Sequence, residues 1–586
     1  MEYKMNRLDP GSAKSKAFIS FAITGSLLGY SCSSHHQPNP VRPNIIIILS
    51  DDIGYSDIGC MGSEIRTPNL DRLAENGIKF THFYNTARSS PSRASLLTGL
   101  YSHEAGMGHL ATRQLWDEPG YRNDLSKTTA TIAELLRKEG YSTYMTGKWH
   151  LSGLDYTRTL EELASDKSNW PQQRGFDRYF GNLSGSCSYY DPYSLVSNNT
   201  FITHGKDFYY TDAISDTTVK YIMENPKGKP FFFYVAYTAA HWPLHAPEKE
   251  IEKYNGVYDA GWDSLRAARF DRMKKMGIIG ENCVLSPRSP AIPAWKDETM
   301  KEWQARRMQV YAAMVDIMDQ GIGRIIAALE AKGELDNTII MYMQDNGGCA
   351  EPVFTLKPAE PLTEEQKVLK PFPYDQVLPV RKPEYTRDGR FIRQGRGVMA
   401  GDADTWVAYG EDWANLSNTP YRFYKSMVHE GGIISPLIVH WPAGIKEKGI
   451  INNDVTHLID ILPTCLEITS IKYPSSFNSA ATLPLEGLSL VPAFNNKSIN
   501  REFLFWEHEG NRAIRTGKWK LVEEVKKPMS FTADDENKWE LYNLESDPTE
   551  MVNLAAKYPA KVKELSDKWE SEALRVKAKP WPWDKQ

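Results

Sequence analysis

Cysteine is scarce in this chain, and the few cysteines lie far apart. Six of them are spread over 586 residues without a Cys-x-x-Cys pair, which excludes a disulfide scaffold and argues against a zinc cluster. The chain also lacks an excess of positive charge, because 69 lysines and arginines face 74 acidic residues. The formal net charge of -5 gives no general attraction to nucleic acid or anionic membranes, so we expect no nucleic-acid partner. An anionic substrate would have to be held by local positive charge.

Internal repeats and low-complexity tracts are absent, and the apolar run near the N-terminus is too short to cross a bilayer as a helix. This run, AFISFAITGSLLGY (17–30), follows Lys14 and Lys16 and leads into small residues. The pattern is typical of an export signal, which we predict over residues 1–31. Two outcomes for Cys32 stay open: it carries the lipid of a bacterial lipoprotein, or it is removed with the signal.

The length of the chain favours one large domain and one smaller domain, predicted here over residues 41–500 and 501–586. In the first of these, apolar runs typical of buried strands alternate with helix patterns that carry caps and glycine stops. The predicted strands and helices cover, in chain order, residues 44–49, 67–77, 78–84, 131–140, 141–145, 229–243, 302–332 and 337–346. This alternation predicts an α/β fold with a mostly parallel central sheet flanked by helices.

Two later segments depart from the alternation. Residues 351–415 are rich in Pro, Arg, Asp and Gly with little periodicity, so we predict a long loop insertion near the active face. After about residue 500, the stretches FLFWEHEG, AIRTGKWKLVEEV and KWELYNL are typical of short antiparallel strands. Residues 560–576 have the pattern of an amphipathic helix. The smaller domain is therefore predicted to be an antiparallel sheet with one closing helix.

Polar residues follow the predicted strands, at the edge where ligands gather in open α/β sheets. They are Asp51, Asp52, Ser89, Arg93, Lys148, His150, His241, Asp345 and Asn346. The pairs Asp51-Asp52 and Asp345-Asn346 supply oxygen ligands that suit Ca²⁺ or Mg²⁺. Either pair alone would be an ordinary cap or turn, but two pairs at two strand ends favour a metal site.

The stretch ARSSPSRASLLTG (87–99) places small hydroxyl residues and arginines at the start of a short apolar helix. One interpretation is a capped helix start, because serine caps helices well and Pro91 suits the first turn. The other is an anion site with a hydroxyl nucleophile, since a helix N-terminus beside arginine attracts oxyanions. Cations and imidazoles converging there would stabilise a developing oxyanion and supply a general acid. The candidates, each ordinary if alone, are Lys148, His150, His241 and Lys425.

Several stretches resemble the sulfatase family in sequence and in order. Ser89-Ser90-Pro91-Ser92-Arg93, followed by ASLLTG, resembles the family signature, (Cys or Ser)-x-Pro-x-Arg with a downstream Thr-Gly. The others are PNIIIILSDDIGYSDIGC, TGKWHLSG, YTAAHWPLHAP, MYMQDNGG, PYRFYKSMVHEGG and LIDILPT. YNGVYDAGWDSLRAARFDRMKKMGI is similar to the bacterial arylsulfatase branch, so the resemblance covers about residues 41–525. It implies an alkaline-phosphatase-like α/β fold and a hydrolase of sulfate esters.

The resemblance also implies how the reacting hydroxyl is made. In the family, the first signature residue, here Ser89, is oxidised to formylglycine (3-oxoalanine), and its hydrate is the nucleophile, supported by Arg93. A geminal diol can expel sulfate by collapsing to the aldehyde, a route that a plain serine ester lacks. Together with the modified residue 89, Ca²⁺ rather than Mg²⁺ would be held by Asp51, Asp52, Asp345 and Asn346.

The resemblance also implies which lysines and histidines act on the substrate. Lys148 and Lys425 would bind sulfate oxygens. His241 would contact the substrate and protonate the leaving alcohol. His150 would assist breakdown of the sulfated hydrate.

Serine at the modified position resembles the sulfatases that bacteria mature with a radical, oxygen-independent enzyme. It implies an anaerobic bacterium, a maturating enzyme acting on Ser89, and an exported protein that is periplasmic or lipid-anchored, with no other membrane contact. The leading hypothesis is a sulfatase acting on sulfated glycans, with galactose 3-sulfate as the suggested sugar. A phosphate or phosphonate monoesterase on the same scaffold is the alternative enzyme. A non-catalytic glycan-binding relative is disfavoured, because no position of the motif set is missing.

Three residues of the smaller domain are predicted to reach the sugar. Glu507, His508 and Arg512 lie together in FWEHEGNRAIR, although an ordinary surface role is the alternative for each. His429 in VHEGG is a weaker candidate of the same kind. His245, like His241, follows an apolar strand and could be an ordinary residue.

Overall fold

The part of the chain that the computed structural model describes comprises residues 42–111, 116–153, 159–353, 357–524 and 539–582. The predicted export signal and Cys32 lie outside these ranges. None of the helices within them has the length and apolar character of a membrane span.

The described ranges contain seventeen strands, and the first eleven make up the central sheet. They are β1 (Asn44–Ser50), β2 (Ile78–Tyr84), β3 (Ser142–Gly147), β4 (Arg178–Asn182), β5 (Leu195–Ser197), β6 (Thr200–Phe201), β7 (Phe231–Ala236), β8 (Thr338–Gln344), β9 (Ile434–His440), β10 (Ile450–Asn452), β11 (Thr456–His457), β12 (Ser476–Phe477), β13 (Ala480–Ala481), β14 (Leu504–His508), β15 (Asn511–Thr516), β16 (Trp519–Glu523) and β17 (Glu540–Asn543). The order across the central sheet is β10-β2-β9-β8-β1-β7-β3-β4-β5-β6, with β11 also paired to β2.

The centre of the sheet is parallel. Strand β1 lies between β7 and β8 and pairs with both in parallel, and β3 continues the parallel run beyond β7. Antiparallel pairs occur where β9 joins β8 and β2, and at the β4-β5-β6 edge. All seven residues of β1 are buried, as expected for a strand covered on both faces. The predicted mostly parallel sheet is confirmed.

Thirteen α-helices surround these strands in the described part of the chain. They are α1 (Pro68–Glu75), α2 (Ser89–Thr98), α3 (Ile132–Lys138), α4 (Leu160–Ala164), α5 (Tyr210–Glu224), α6 (Glu248–Ile251), α7 (Gly261–Lys275), α8 (Lys301–Lys332), α9 (Gly410–Ser417), α10 (Glu430–Ile433), α11 (Ile461–Thr469), α12 (Val491–Phe494) and α13 (Pro559–Arg575). The predicted Thr131–Glu134 capping box starts α3, and Gly333, at φ 70°, ends α8.

Several predicted boundaries were off by a few residues, and two of them bear on the polar residues that follow the strands. Strand β7 ends at Ala236, five residues before His241, because the chain leaves the sheet through a loop after its last pairing with β1. Strand β3 runs two residues further than expected, to Gly147, since its pairing with β7 continues to that position.

The C-terminal part has the predicted antiparallel architecture. Strands β14 to β17 form a four-stranded antiparallel sheet in chain order, and helix α13 packs against it. Trp569 of α13 is fully buried and donates its indole hydrogen to the carbonyl of Trp506, at 3.0 Å. The boundary predicted at residue 500 stays a prediction, because the described chain from Arg42 onward forms one compact unit.

The insertion predicted over residues 351–415 is irregular, as expected. Its described residues form isolated bridges, and regular structure returns only with α9. The segment borders the cavity described next.

Candidate active site

The two acidic pairs predicted from the strand ends lie side by side. Strands β1 and β8 are paired up to Ser50 and Gln344, so the next residues of each strand emerge at the same edge. The amide of Asn346 donates to Asp52 Oδ1 at 2.8 Å, and the backbone N–H of Asp52 donates to Asp345 Oδ1 at 3.3 Å. Asp51, Asp52, Asp345 and Asn346 are all buried.

Ser89 lies in the first turn of α2 and faces this acidic group. Its hydroxyl lies 3.3 Å from Asp51 Oδ1 and 3.3 Å from Asn346 Oδ1. The cap residue of α2 is Arg88, so the serine is not the helix cap that the simpler interpretation expected. Ser92, one turn on, donates to the carbonyl of Asp345 and ties the start of the helix to the end of β8.

Two buried cations balance the carboxylates. Arg93 Nη2 lies 3.4 Å from Asp51 Oδ2 and 3.2 Å from Asp345 Oδ2, and the ammonium of Lys148 donates to Asp51 Oδ2. Burial alone would raise the pKa of Asp51, but the surrounding cations, Lys148 foremost, hold that pKa well below its usual range. Burial and the Asp51 carboxylate raise the pKa of Asp345 to about 7. The crowded carboxylates therefore repel one another even with these cations present.

Lys425 and His241 lie next to the carboxylate of Asp52. The ammonium of Lys425 is 2.8 Å from Asp52 Oδ1 and 3.5 Å from Nε2 of His241. The other ring nitrogen of His241, Nδ1, donates to the carbonyl of Trp242 at 2.7 Å, which leaves the Nε2 lone pair facing the site. Burial lowers the pKa of His241 to about 4, so a bound anion is needed to favour its protonated form at neutral pH.

His150 reaches the site through an unusual backbone conformation. We expected Lys148 and His150 to point the same way in an extended chain, but φ at His150 is 53°, in the left-handed region. Its ring packs on Gly185, where an added Cβ would lie 2.5 Å from the ring. Within the described chain, Nδ1 of His150 is buried without a hydrogen-bond partner, and the residue lines the cavity described below.

These side chains surround a cavity of about 270 Å³, large enough for a sulfate group and part of its carrier. The predicted residues that line it are Ser89, His150, His241 and Lys425. The side chain of Lys148 lies behind these residues, beside Asp51, and has no exposed surface. The structure thus brings together every residue that the motifs singled out around the signature.

Among the lining residues that the sequence analysis missed, four are charged or aromatic, namely Arg88, Trp242, Glu351 and Arg381. Arg88 and Trp242 adjoin predicted site residues, so adjacency was an available signal for them. Glu351 and Arg381 belong to the irregular insertion, where no periodicity indicates which side chains turn inward.

The buried donors fit a hard cation. The ligand atoms of Asp51, Asp52 and His241 all lie within 4.8 Å of one another, and Ser89 Oγ lies 3.3 Å from both Asp51 Oδ1 and Asn346 Oδ1. Carboxylate, amide and hydroxyl oxygens are the donors that Ca²⁺ and Mg²⁺ prefer, whereas imidazole suits softer transition metals. The oxygen set therefore fits Ca²⁺ or Mg²⁺ better than zinc.

Glu507 does not face the cavity. Its carboxylate accepts from His103 Nε2 at 2.6 Å, from the Tyr121 hydroxyl at 2.8 Å and from the Gly510 backbone at 2.8 Å. With three donors and almost complete burial, it stabilises the junction between the C-terminal sheet and the catalytic part. The structure does not support the predicted sugar contact.

Arg512 and His508 are also absent from the cavity lining. The guanidinium of Arg512 donates to Glu523 at 2.8 Å and packs over the ring of Trp569, on the α13 side of the sheet. The ring of His508 is buried and stacks on His109, with centroids 6.0 Å apart. Both lie in the packing of the C-terminal sheet, where the short strands bury side chains that the sequence pattern treated as surface.

The two weaker histidine candidates have structural partners. His245 is buried and bonds the carbonyl of Thr405 at 2.7 Å, and His429 Nε2 pairs with Glu540 at 3.0 Å. Neither lines the cavity.

Known proteins resemble this chain over most of its length. Residues 43–471 match the family model "Sulfatase", and residues 421–578 match "N-sulphoglucosamine sulphohydrolase, C-terminal". An uncharacterized sulfatase of Schizosaccharomyces pombe is 33% identical over 91% of this chain and 94% of its own. An arylsulfatase of Klebsiella aerogenes is 32% identical over 78% of this chain and 92% of its own.

A solved structure shares the fold. The crystal structure of Ps i-CgsB in complex with k-i-k-neocarrahexaose superposes with a TM-score of 0.59 at 24% identity, covering 92% of this chain and 98% of that one.

Proposed function

This chain belongs to the sulfatase family and is a sulfuric ester hydrolase, and we propose that it removes O-sulfate from a sulfated glycan by means of a formylglycine derived from Ser89. The observation that carries the proposal is the position of the Ser89 hydroxyl. It lies 3.3 Å from both Asp51 Oδ1 and Asn346 Oδ1, at the wall of a cavity that also exposes Lys425 and two histidines.

The nucleophile requires a hydroxyl that can later release sulfate. The hydrate of formylglycine supplies that hydroxyl and a route for release, and it would be made from Ser89 by an oxygen-independent maturating enzyme. Around it, Asp51 and Asn346 would orient the reacting oxygen, and the charge of Arg93 favours the ionised form of Asp51 and partly offsets the effect of burial on the pKa of Asp345.

The cations of the site would bind the sulfate group. Lys425 lines the cavity, and Lys148, whose side chain is fully buried beside Asp51, would attract the sulfate by its charge. Positive groups fixed before the substrate arrives stabilise negative charge that develops in the transition state. His241 directs Nε2 toward the cavity and would protonate the leaving alcohol once a bound anion has raised its pKa. His150, which lines the cavity, would take up the proton of the remaining geminal hydroxyl as that oxygen forms the aldehyde C=O bond and the carbon–oxygen bond to sulfate breaks.

The metal would be Ca²⁺ rather than Mg²⁺, held by Asp51, Asp52, Asp345 and Asn346 with the modified residue 89. Four or more protein oxygens in one irregular group suit the flexible coordination of Ca²⁺. When bound, the cation would polarise the reacting oxygen and neutralise the carboxylates.

Removal of Ca²⁺ is expected to lower both stability and activity. At a free Ca²⁺ concentration 100 times its Kd, bound metal would stabilise the fold by about 2.7 kcal/mol, so chelation should lower the melting temperature. The measurement is a thermal melt with EGTA, followed by addition of Ca²⁺ or Mg²⁺. An Asp345→Asn variant, with one charge fewer, should show a smaller response to Ca²⁺. Unchanged melting of the wild type in EGTA would contradict the calcium assignment.

A sulfated carbohydrate is the substrate class that has most support. Ps i-CgsB, which shares the fold, was solved with a neocarrahexaose, and Trp242 gives the cavity an aromatic wall of the kind that sugar rings contact. Galactose 3-sulfate is our proposed first sugar. We further propose that the protein is exported and works in the periplasm or on a lipid anchor at Cys32.

Phosphate or phosphonate monoester hydrolysis is the second candidate. The same cations and oxygen ligands would bind a phosphate oxyanion, and an unmodified Ser89 could attack it directly.

One experiment separates the two candidates. The tryptic peptide that contains Ser89, from protein matured in an anaerobic host, is expected to be about two hydrogens lighter than the serine form, as oxidation of a hydroxyl to an aldehyde requires. The same preparation should release sulfate from galactose 3-sulfate faster than phosphate from a matched phosphate ester. Unmodified serine together with faster phosphate release would favour the monoesterase.

A further inference from the structure

Glu351 lies at the mouth of the catalytic cavity and is held by two of its other wall residues. Its Oε1 accepts from Arg88 Nη1 at 2.6 Å, and its Oε2 accepts from the indole N–H of Trp242 at 2.9 Å. Its side chain is 31% exposed, so the carboxylate also faces solvent. It is therefore a fixed anion at the entrance of the site.

The partners of Glu351 tie it to the catalytic side chains. Arg88 directly precedes Ser89, and Trp242 directly follows His241. Arg88 Nη1 also donates to Ser426 Oγ at 2.7 Å, next to Lys425. The position of the carboxylate is thus set relative to the nucleophile, the acid and the sulfate-binding lysine at once.

The carboxylate retains acceptor capacity. An ionised carboxylate offers about four lone-pair positions, and within the described chain Glu351 uses one on each oxygen. Burial would raise its pKa, but Lys425 and Arg88 hold that pKa well below the usual range. The free acceptor positions lie on a charged group, which makes stronger hydrogen bonds than a neutral one.

Glu351 also lies between two cavities. It lines the catalytic cavity of about 270 Å³ and a larger one of about 1260 Å³ formed by the insertion. A group bound at Glu351 is therefore adjacent to the sulfate site but outside it. The part of the substrate that carries the sulfate group would occupy this position, rather than the sulfate group itself.

We propose that Glu351 is a specificity-determining residue that accepts hydrogen bonds from hydroxyl groups of the sugar carrying the sulfate ester. The inference rests on the proposed sulfatase function and narrows its substrate class to sulfated sugars with free hydroxyls near the ester. Aryl sulfates, which have no such hydroxyl, would gain nothing from Glu351. A site built to bind a hydroxyl discriminates strongly against a substrate that lacks it.

The test compares two kinds of substrate in a Glu351→Gln variant. We expect kcat/KM for galactose 3-sulfate to fall by about 10- to 100-fold, the effect of losing a hydrogen bond to a charged group. The value for 4-nitrophenyl sulfate should change by less than about threefold. Any shift of Arg88 or Trp242 would affect both substrates, so the aryl sulfate measures that effect separately.

Two further variants control the comparison. Glu364→Gln removes an exposed acid of the same insertion, 90% exposed and outside the cavity, and should leave both substrates unaffected. Glu351→Asp keeps the charge but shortens the side chain, and should again weaken the sugar selectively. Melting temperatures of all variants show whether each is folded.

Several results would overturn the inference. An equal loss on both substrates would make Glu351 a positioning residue for the cavity walls, and no loss on either would leave it without a role. A wild-type enzyme that hydrolyses the aryl sulfate as well as galactose 3-sulfate and N-acetylglucosamine 6-sulfate would also contradict it. Failure of the wild type to release sulfate from any substrate would instead refute the proposed function, and the inference with it.

Discussion

Replacing Ser89 with alanine is expected to abolish sulfate release while leaving the protein folded. Alanine can neither be oxidised to an aldehyde nor attack sulfur, so the loss in kcat should reach about 10⁴- to 10⁶-fold, as for other covalent nucleophiles. The hydroxyl makes only two long contacts, at 3.3 Å each, so its removal should cost the fold little. The measurements are sulfate release at saturating substrate and a thermal melt.

A serine on the same helix provides the matched control. Ser95 is buried on α2, and within the described chain its hydroxyl has no hydrogen-bond partner. Ser95→Ala should therefore retain activity and stability. Substantial turnover by Ser89→Ala, measured beside a fully active Ser95→Ala, would refute the nucleophile assignment.

The grouping of the site could be predicted from the sequence because parallel strands end at one edge of a sheet. Asp51 and Asp345 are almost 300 positions apart, yet each directly follows a continuous apolar run, and those runs pair as β1 and β8. Burial patterns and glycine stops fix such elements locally. The fold class and the convergence of the acidic pairs followed from these local signals.

Features that depend on irregular backbone could not be predicted in the same way. The left-handed conformation at His150 arises from contacts with distant chain, including the packing of its ring on Gly185. Glu351 enters the cavity because it binds Arg88 and Trp242, and no pattern inside its own segment indicates this.

In the C-terminal sheet, two residues were predicted to have a role that the structure does not support. Glu507 and Arg512 were predicted to reach the sugar from the smaller domain, with an ordinary surface role as the alternative. In the structure Glu507 binds His103 and Tyr121, and Arg512 packs over Trp569 of α13, so both side chains are engaged in packing and neither lines the cavity.

Lys520 connects this sheet to the segment that carries Lys425. From β16, its ammonium lies 2.7 Å from Glu430 Oε1 and 2.8 Å from Glu550 Oε1, and all three side chains are at most 3% exposed. Glu550 also accepts from the backbone N–H of Glu430 at 2.8 Å. Glu430 begins α10, five residues after Lys425. One buried cation thus bridges two buried carboxylates between the C-terminal sheet and the Lys425 segment.

Lys520→Met is therefore expected to destabilise the protein by about 3–5 kcal/mol, the usual cost of leaving buried charges without their partner. Methionine fills a similar volume, so the loss of charge rather than of packing dominates. Urea denaturation measures the change in the free energy of unfolding. Lys518→Met, two positions away, removes a half-exposed cation that lies 3.8 Å from Glu545 and should cost less than about 1 kcal/mol. Equal stability of the two variants would mean that Lys520 does not hold the C-terminal sheet to the Lys425 segment, and that packing alone does so.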